Sequence, residues 1–555
     1  MNRNACSTPL SFPARRWFSV GLLAAALSTT VLAQPAADFS ADRFKAHVAF
    51  LADDLLEGRE AGTRGHEIAA HYVAAQFALL GVKPAAPDGT YFEPVQLAEW
   101  TRSGAPGVLT VTTPRGTRAF KQGVDAVISG SPAGGSSVVK GPLVFVGYGV
   151  VDAALALDDY QGIDARGKIV VMLSAPMTGI DSEIAAHLQS QQQQTAAEHG
   201  AVGTISIQTH SSAKVRPWQQ YAQRATEAST TWVQRDGSPF DYSHGLRATA
   251  AVDAKAAAAL FEGASPSLEE LLATADAPGG RPKPIALKTS AELRVTTSTR
   301  RYASPDVVGV IEGSDPTLKR EYVALMAHAD HIGMSPTGSG DRINNGALDN
   351  AAGIATLLEV ARAFAFTAER PKRSIMLVAN TAEEKGLLGA EYFAHNTPVP
   401  ADQIVAAIDL DMPVLLYDFS DVVAYGASHS TLEAAFRAAG AAMNVAVSPD
   451  PMPEQSIFVR SDHYAMAKVG VPAVMLATGM ANGGQAAWGT FLTTQYHHPS
   501  DDLSQPIHWQ AGARFAELNY RAVRALADAA EPPRWYAGDY FGNLFASGAR
   551  KAPKP

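Results

Sequence analysis

Cysteine is all but missing from this chain: the only one, Cys6, falls near the start. Beyond it there is no thiol for a disulfide framework or a thiolate metal site. Stability must come from core burial, which a chain of 555 residues can supply. Basic runs are absent too, and the formal net charge is −9. That balance gives no electrostatic footing for nucleic acid, and no nucleic-acid partner is expected. After residue 33 no apolar run is long enough to span a bilayer, so no membrane association is expected in the mature chain.

The one strongly apolar run is at the N-terminus. Arg15 and Arg16 precede "WFSVGLLAAALSTTVLA", which closes on the small-residue pattern Val31-Leu32-Ala33. This reads as a secretory signal peptide over residues 1–33, cut after Ala33, with export to the periplasm or medium. A membrane anchor is the alternative, but the run is short for one.

Residues 40–84 carry apolar residues at helical spacing in "ADRFKAHVAFLADDLL" and "RGHEIAAHYVAAQFALL", two expected helices. Residues 90–140 alternate and are rich in Gly, Ser, Pro and Thr, as short strands and turns are. From 141 to 290 the strand candidates "PLVFVGYGV", "GKIVVMLSA" and "GAVGTISIQ" mark a separate β-rich unit, closed by a Gly/Pro linker. Beyond about 305 the pattern becomes strand, loop, helix, repeated: "YVALMA", "SIMLVAN", "IVAAIDL", "DVVAYG" and "VPAVMLA" alternate with helical stretches. That alternation predicts an α/β fold, a mixed and mostly parallel sheet with helices on both faces. The tail after Pro532 shows no regular pattern.

Ligands of open α/β sheets sit beyond the carboxyl ends of the strands. Those ends carry His328, Asp330 and His331, then Glu383 and Glu384, then Asp409 and Asp411. "QYHHPSDD" adds His497, His498, Asp501 and Asp502, and the loop "NNGALDNAAG" adds Asp349. So many carboxylates in one cleft would be forced to protonate, or would cost roughly several kcal/mol, unless a divalent cation joined them. Histidine with Asp and Glu but without Cys suits zinc, cobalt or manganese. "GHEIAAHYV" is a decoy: His66 and His71 stand five apart, about 140° around a helix, and cannot share a metal. They are read as surface histidines.

"AHADHIG", "GALDNAAGIATLLEVARAF", "TAEEKGLLGAEYF", "DLDMP" and "YHHPSDDL", in this order, resemble the M28 family of zinc aminopeptidases over about 305–530. The resemblance implies a zinc-exopeptidase fold with two zinc ions per chain. His328 and Asp411 would hold one metal, Glu384 and His497 the other, and Asp349 would bridge them. It also implies Glu383 as the general base, Tyr496 as a donor to the oxyanion, Asp330 as a support for His328 and a cis peptide after Asp349. His498 stands beside His497 and remains an alternative ligand. Leu348 and His498 depart from residues many members carry. "DYQGIDARGKIVVMLSAPM" is similar to part of a protease-associated domain. The implied layout is 1–33 signal peptide, 34–140 leading part of the catalytic domain, 141–290 protease-associated domain, 291–535 catalytic domain and 536–555 tail.

The expected function is an exported di-zinc aminopeptidase. It would act on peptide substrates through a hydroxide between the metals, with Glu383 taking its proton. Alternatives on the same scaffold are a carboxypeptidase or dipeptidase, for which Arg342 or Arg460 could meet a substrate carboxylate, a one-zinc cyclase, and an inactive binding protein. Residue preference and oligomeric state are not set by the sequence.

Overall fold

A single long strand, Ile285–Ile311, ties the molecule together. In its first half it pairs antiparallel with Gly135–Phe145 and Val108–Thr113; further on it pairs with Phe92–Arg102. Its last residues, Val307 to Ile311, pair antiparallel with Ser374–Asn380. Residue 290 therefore lies inside a continuous strand. The computed structural model describes residues 38–223, 227–336 and 340–555. The expected signal peptide and Cys6 lie outside the described residues.

From Ser374–Asn380 the sheet runs in parallel steps to Tyr322–His328, Ile404–Asp409 and Ala473–Thr478. It then turns antiparallel to Asp421–Tyr425, which pairs parallel with Ala446–Ser448. This is the mixed, mostly parallel sheet the sequence predicts. Ser374–Asn380 and Ala473–Thr478 are buried at every residue, as central parallel strands between two helical layers must be.

Alternation along the strands divides the core in two. Val323, Leu325 and Ala327 join a cluster with the helices Ala41–Leu51, Arg64–Leu79, Ala352–Phe366 and Trp509–Asp528. Ala324 and Met326 face the opposite side, toward Leu388–His395, His463–Lys468 and Tyr540–Phe545. A strand's side-chain period of two puts one set on each face.

A further core collects residues from Leu109 to Val295 around the parallel set Ile169–Leu173, Gly203–Ile207 and Ala248–Val252. It includes Leu109, Val111, Phe120 and Ile128, which precede residue 141. The helix Ser182–Ser190 of this half meets the loop at 453–459 of the other: Ser182 Oγ donates to the Pro453 carbonyl and Ser456 Oγ to the Ser182 carbonyl.

Two sequence readings need correction. His66 is buried, 1% exposed, not a surface residue; helical spacing gives the angle between side chains but not which face the sheet covers. Its Nδ1 meets Ser304 Oγ at 3.2 Å, and burial, then the nearby Arg59, pull it down to about 3. The tail is also ordered: Trp535 and Phe541 are buried and Tyr540–Phe545 is a helix, a pattern too short to show periodicity.

His429 joins three parts of the chain. Its Nδ1 lies 2.7 Å from Asp539 Oδ2, beside the C-terminal helix, and its Nε2 lies 3.0 Å from Glu183 Oε2, in Ser182–Ser190. Burial opposes the imidazolium, but hydrogen bonds to the two acids outweigh it and raise the group to about 9. Its ordinary value is about 6.5. The junction thus contributes stability that is complete below about 6.5 and is lost as pH rises through about 9. Urea unfolding should show this as a loss of about 3 kcal/mol across that window. His429→Gln should flatten the slope; an unchanged slope would remove the junction from the account.

Candidate metal centre

The candidate ligands come from the carboxyl edge of the sheet and from two loops beside it. His328 ends the strand Tyr322–His328, and Asp411 lies just past Ile404–Asp409. Glu383 and Glu384 follow Ser374–Asn380 after a reversal at Ala382, whose φ is 53°. His497, φ 60°, lies past the helix Gly484–Thr494. Left-handed backbone costs an ordinary residue about 1 kcal/mol or more, so the surrounding packing must hold both turns. Asp349 sits in a loop that opens Ala352–Phe366, and the Asp349–Asn350 peptide is cis. The loop needs Gly346: φ is 59°, and a Cβ there would stand 2.1 Å from the Asp349 carbonyl oxygen.

The side chains form two sets that share Asp349. His328 Nε2 lies 3.1 Å from Asp411 Oδ1 and 3.3 Å from Asp349 Oδ1. On the other side, His497 Nε2 lies 3.3 Å from Asp349 Oδ2 and 3.1 Å from Glu384 Oε2. His331 joins this second set, its Nδ1 2.7 Å from Glu384 Oε1. In both His328/Asp349/Asp411 and His331/Asp349/Glu384 the donor atoms lie within 4.8 Å of one another.

These donors fit divalent cations. Tetrahedral zinc with bonds of about 2.0–2.1 Å puts neighbouring ligand atoms about 3.3 Å apart. The spacings of 3.1 and 3.3 Å on each side of Asp349 match that edge. The adjacent glutamates diverge: Glu384 turns to the second set, while Glu383 Oε2 stays 3.9 Å from His328 Nε2 and lines the cleft.

Without a cation the charges conflict. Burial pushes Glu383 well above the usual carboxylate range, and Glu384, Asp411 and Asp462 add to this against the pull of His328. Asp349 goes the other way: burial would raise it, but His328, His331 and His497 hold it well below its usual value. Burial would lower His497, yet Asp349 and Glu384 raise it to about 10. A cation in either set would replace these imidazolium charges and favour every ionised carboxylate.

Further residues hold the ligands in place. The carboxylate of Asp501 accepts N–H bonds from Leu348 at 3.0 Å and Asp349 at 3.0 Å, fixing the loop that carries the carboxylate common to both sets. Arg59 is 1% exposed and gives its guanidinium to the carbonyls of Leu51, Ala329, Asn345 and Gly346. It thereby joins the loop after His328 to the loop before Asp349. Ser461 Oγ lies 2.7 Å from Asp411 Oδ2 and 2.6 Å from Asp409 Oδ2, and Asp409 also meets His463 Nδ1 at 3.2 Å. Asp409 and His463 thus act on the site through Ser461. His328 Nδ1 is paired at 3.1 Å with the main-chain carbonyl of Asp330; the Asp330 carboxylate accepts the Glu383 N–H instead.

The centre opens on a cavity of about 360 Å³. Asp349, Glu383, Asp411 and His497 form one side, and Met412, Met452, Ile457, Met475, Trp488 and Leu492 make an apolar wall. Tyr496 lines it as well, stacked on His497 at 3.8 Å, and burial keeps its hydroxyl protonated far above neutrality. Among the described residues that line it, Arg460 is the one arginine or lysine.

The structure brings His328, Asp349, Glu383, Glu384, Asp411, Tyr496 and His497 to one cleft. His498 is exposed and outside both sets; Arg342 bonds the Ser335 carbonyl and does not line the cavity. Sequence reasoning set His331 and Asp501 among the groups of the cleft but gave neither a role of its own, and it gave none to Ser461 or Arg59. The first two were visible beside predicted ligands; Arg59 carried no local signal at all.

Asp501→Asn puts an amide donor where two backbone N–H groups point. Supporting residues of this kind are worth about 10–100-fold in metal affinity. Competition with a fluorescent chelator should show that loss; unchanged affinity would mean the Asp349 loop is held by other contacts.

Residues 306–523 match the sequence model of Peptidase family M28. Two fungal relatives, each named "Probable zinc metalloprotease", align over 108 residues: one from Pyrenophora teres f. teres at 38% identity and one from Pyrenophora tritici-repentis at 37%. The aligned part spans 22% and 23% of those proteins and 19% of this chain. Among solved structures, an aminopeptidase from Aneurinibacillus sp. strain AM-1 superposes with a TM-score of 0.50 at 19% identity, covering 89% of this chain and 95% of that one. The likeness extends the shared fold beyond the family match. Over residues 306–523, then, the chain carries a peptidase family M28 domain.

Proposed function

We propose that the protein is an exported aminopeptidase that holds two zinc ions and removes the N-terminal residue of peptides. The observation that carries this reading is the pair of donor sets sharing Asp349, with Glu383 beside them and an apolar cavity in front. When bound, the two ions supply Lewis-acid polarisation of the scissile carbonyl and acidify the attacking water. His328, Asp349 and Asp411 would hold one ion, and Asp349, Glu384 and His497 the other.

Glu383 takes the proton of the attacking water and passes it to the leaving amine, the role for a carboxylate that faces the cleft. Tyr496, protonated throughout the neutral range, donates from the cavity wall to the oxygen on which negative charge develops. Met412, Met452, Met475, Trp488 and Leu492 exclude water and receive an apolar side chain. Residues 141–290 act as a protease-associated insert beside the cleft; in support, Ser182 contacts the loop that carries Met452 and Ile457. Residues 1–33 direct export, as their sequence pattern supports.

Arg460 favours a second reading. It lines the cavity, finds no carboxylate partner among the described residues and would suit a substrate's own carboxylate, as a carboxypeptidase or dipeptidase requires.

A panel of aminoacyl arylamides and dipeptides, free or N-acetylated, tests both. We expect cleavage of free leucyl and methionyl substrates over aspartyl and lysyl ones, loss with a chelator and recovery with zinc. Cleavage of N-acetylated dipeptides would support the carboxypeptidase reading instead. Glu383→Gln should keep its metal and lose about 10²–10⁴-fold in kcat. Retained turnover would rule out Glu383 as the base.

A further inference from the structure

We propose that His331 is a positioning residue for the second metal: it holds Glu384 by one oxygen so that the other faces the ion. The inference rests on the two-metal reading above.

His331 is 1% exposed and fixed by its own backbone, whose N–H donates to the Arg59 carbonyl and which bridges to Glu60. The two oxygens of Glu384 have separate partners. Oε1 lies 2.7 Å from His331 Nδ1, and Oε2 lies 3.1 Å from His497 Nε2. The second distance, with the 3.3 Å from His497 Nε2 to Asp349 Oδ2, is the edge length of a shared tetrahedral cation. The first is the length of a charge-assisted hydrogen bond. His331 Nδ1 is also 3.9 Å from Asp349 Oδ2, longer than such an edge.

His331 Nε2 is buried with no hydrogen-bond partner among the described residues, so only Nδ1 has work to do. A neutral ring with its proton on Nδ1 donates to Glu384 and leaves Nε2 bare. A ring protonated only on Nε2 would strand that donor and set two acceptors 2.7 Å apart. The ring also meets His497 edge-on, with centroids 5.7 Å apart, so it limits the swing of the ligand imidazole as well. A carboxylate pinned at one oxygen loses its rotational freedom before the ion arrives, which is how an outer hydrogen bond raises affinity.

The test uses the full chain, stripped of metal and titrated with Zn²⁺ against a competing chelator, and with Co²⁺ followed by its visible spectrum. It compares wild type with His331→Asn and His331→Leu. An asparagine amide can reach the place of Nδ1 and donate but is a poor zinc ligand. Leucine fills the space and donates nothing. We expect two ions in the wild type. His331→Leu should weaken one of them by about 10–100-fold and leave the other unchanged, and His331→Asn should restore most of the loss.

Equal loss in both variants would make the imidazole itself a ligand and overturn the proposal. So would a leucine variant with both affinities intact. A wild type that takes up a single ion would contradict the two-metal reading, and the asparagine-against-leucine comparison would then apply to that ion. Thermal unfolding of the metal-free proteins separates a folding defect from a lost site.

Discussion

The whole catalytic edge depends on reconciling negative charges that burial forces together. Asp349, the adjacent pair Glu383 and Glu384, and Asp411 come from three separate segments, yet all reach one cleft. Taking even one carboxylate out of water costs several kcal/mol, roughly, unless an opposite charge compensates. In the protein alone that charge falls to His328 and His497, which are raised as a result, while Glu383 is driven toward its neutral form. Divalent cations resolve the conflict more completely. They also free the imidazoles to act as neutral ligands, their usual state on a metal.

The rest of the domain keeps those groups in register. The parallel strands deliver His328, the glutamates and Asp411 to the same edge because their carboxyl ends coincide. Loops make the final adjustment, and each is anchored from outside the ligand set. Asp501 holds the Asp349 loop by its backbone, Arg59 ties two loops through carbonyls, and Ser461 links Asp411 to Asp409. Arg59 has no carboxylate in hydrogen-bond contact among the described residues; burial lowers it to about 10, and the acids Asp330, Asp349, Asp501 and Glu384 offset part of that cost. It thereby adds positive charge near the acids without occupying a ligand position.

Much of this was legible in the sequence because it is local. Continuous apolar runs such as Ser374–Asn380 mark buried strands, and the polar residues that end them mark the site. That reasoning reached His328, Glu383, Glu384 and Asp411, and the order of motifs supplied Asp349, Tyr496 and His497. What stayed hidden depends on tertiary approach. Periodicity cannot tell that His66 faces Ser304, or that Arg59 bridges loops more than two hundred residues away. The apolar cavity is assembled from Met412, Met452, Met475 and Trp488, four residues on four segments, of which only the one with Met412 carries a motif. The strand Ile285–Ile311 was hidden for another reason: a Gly/Pro stretch before it reads as a linker, while the chain in fact continues from one half to the other as a strand.

The most direct test is anomalous diffraction at the zinc edge from crystals grown with zinc. This account predicts two peaks about 3.5 Å apart on either side of the Asp349 carboxylate, one beside His328 and Asp411, the other beside His497 and Glu384. An empty cleft, or zinc bound only elsewhere, would contradict it.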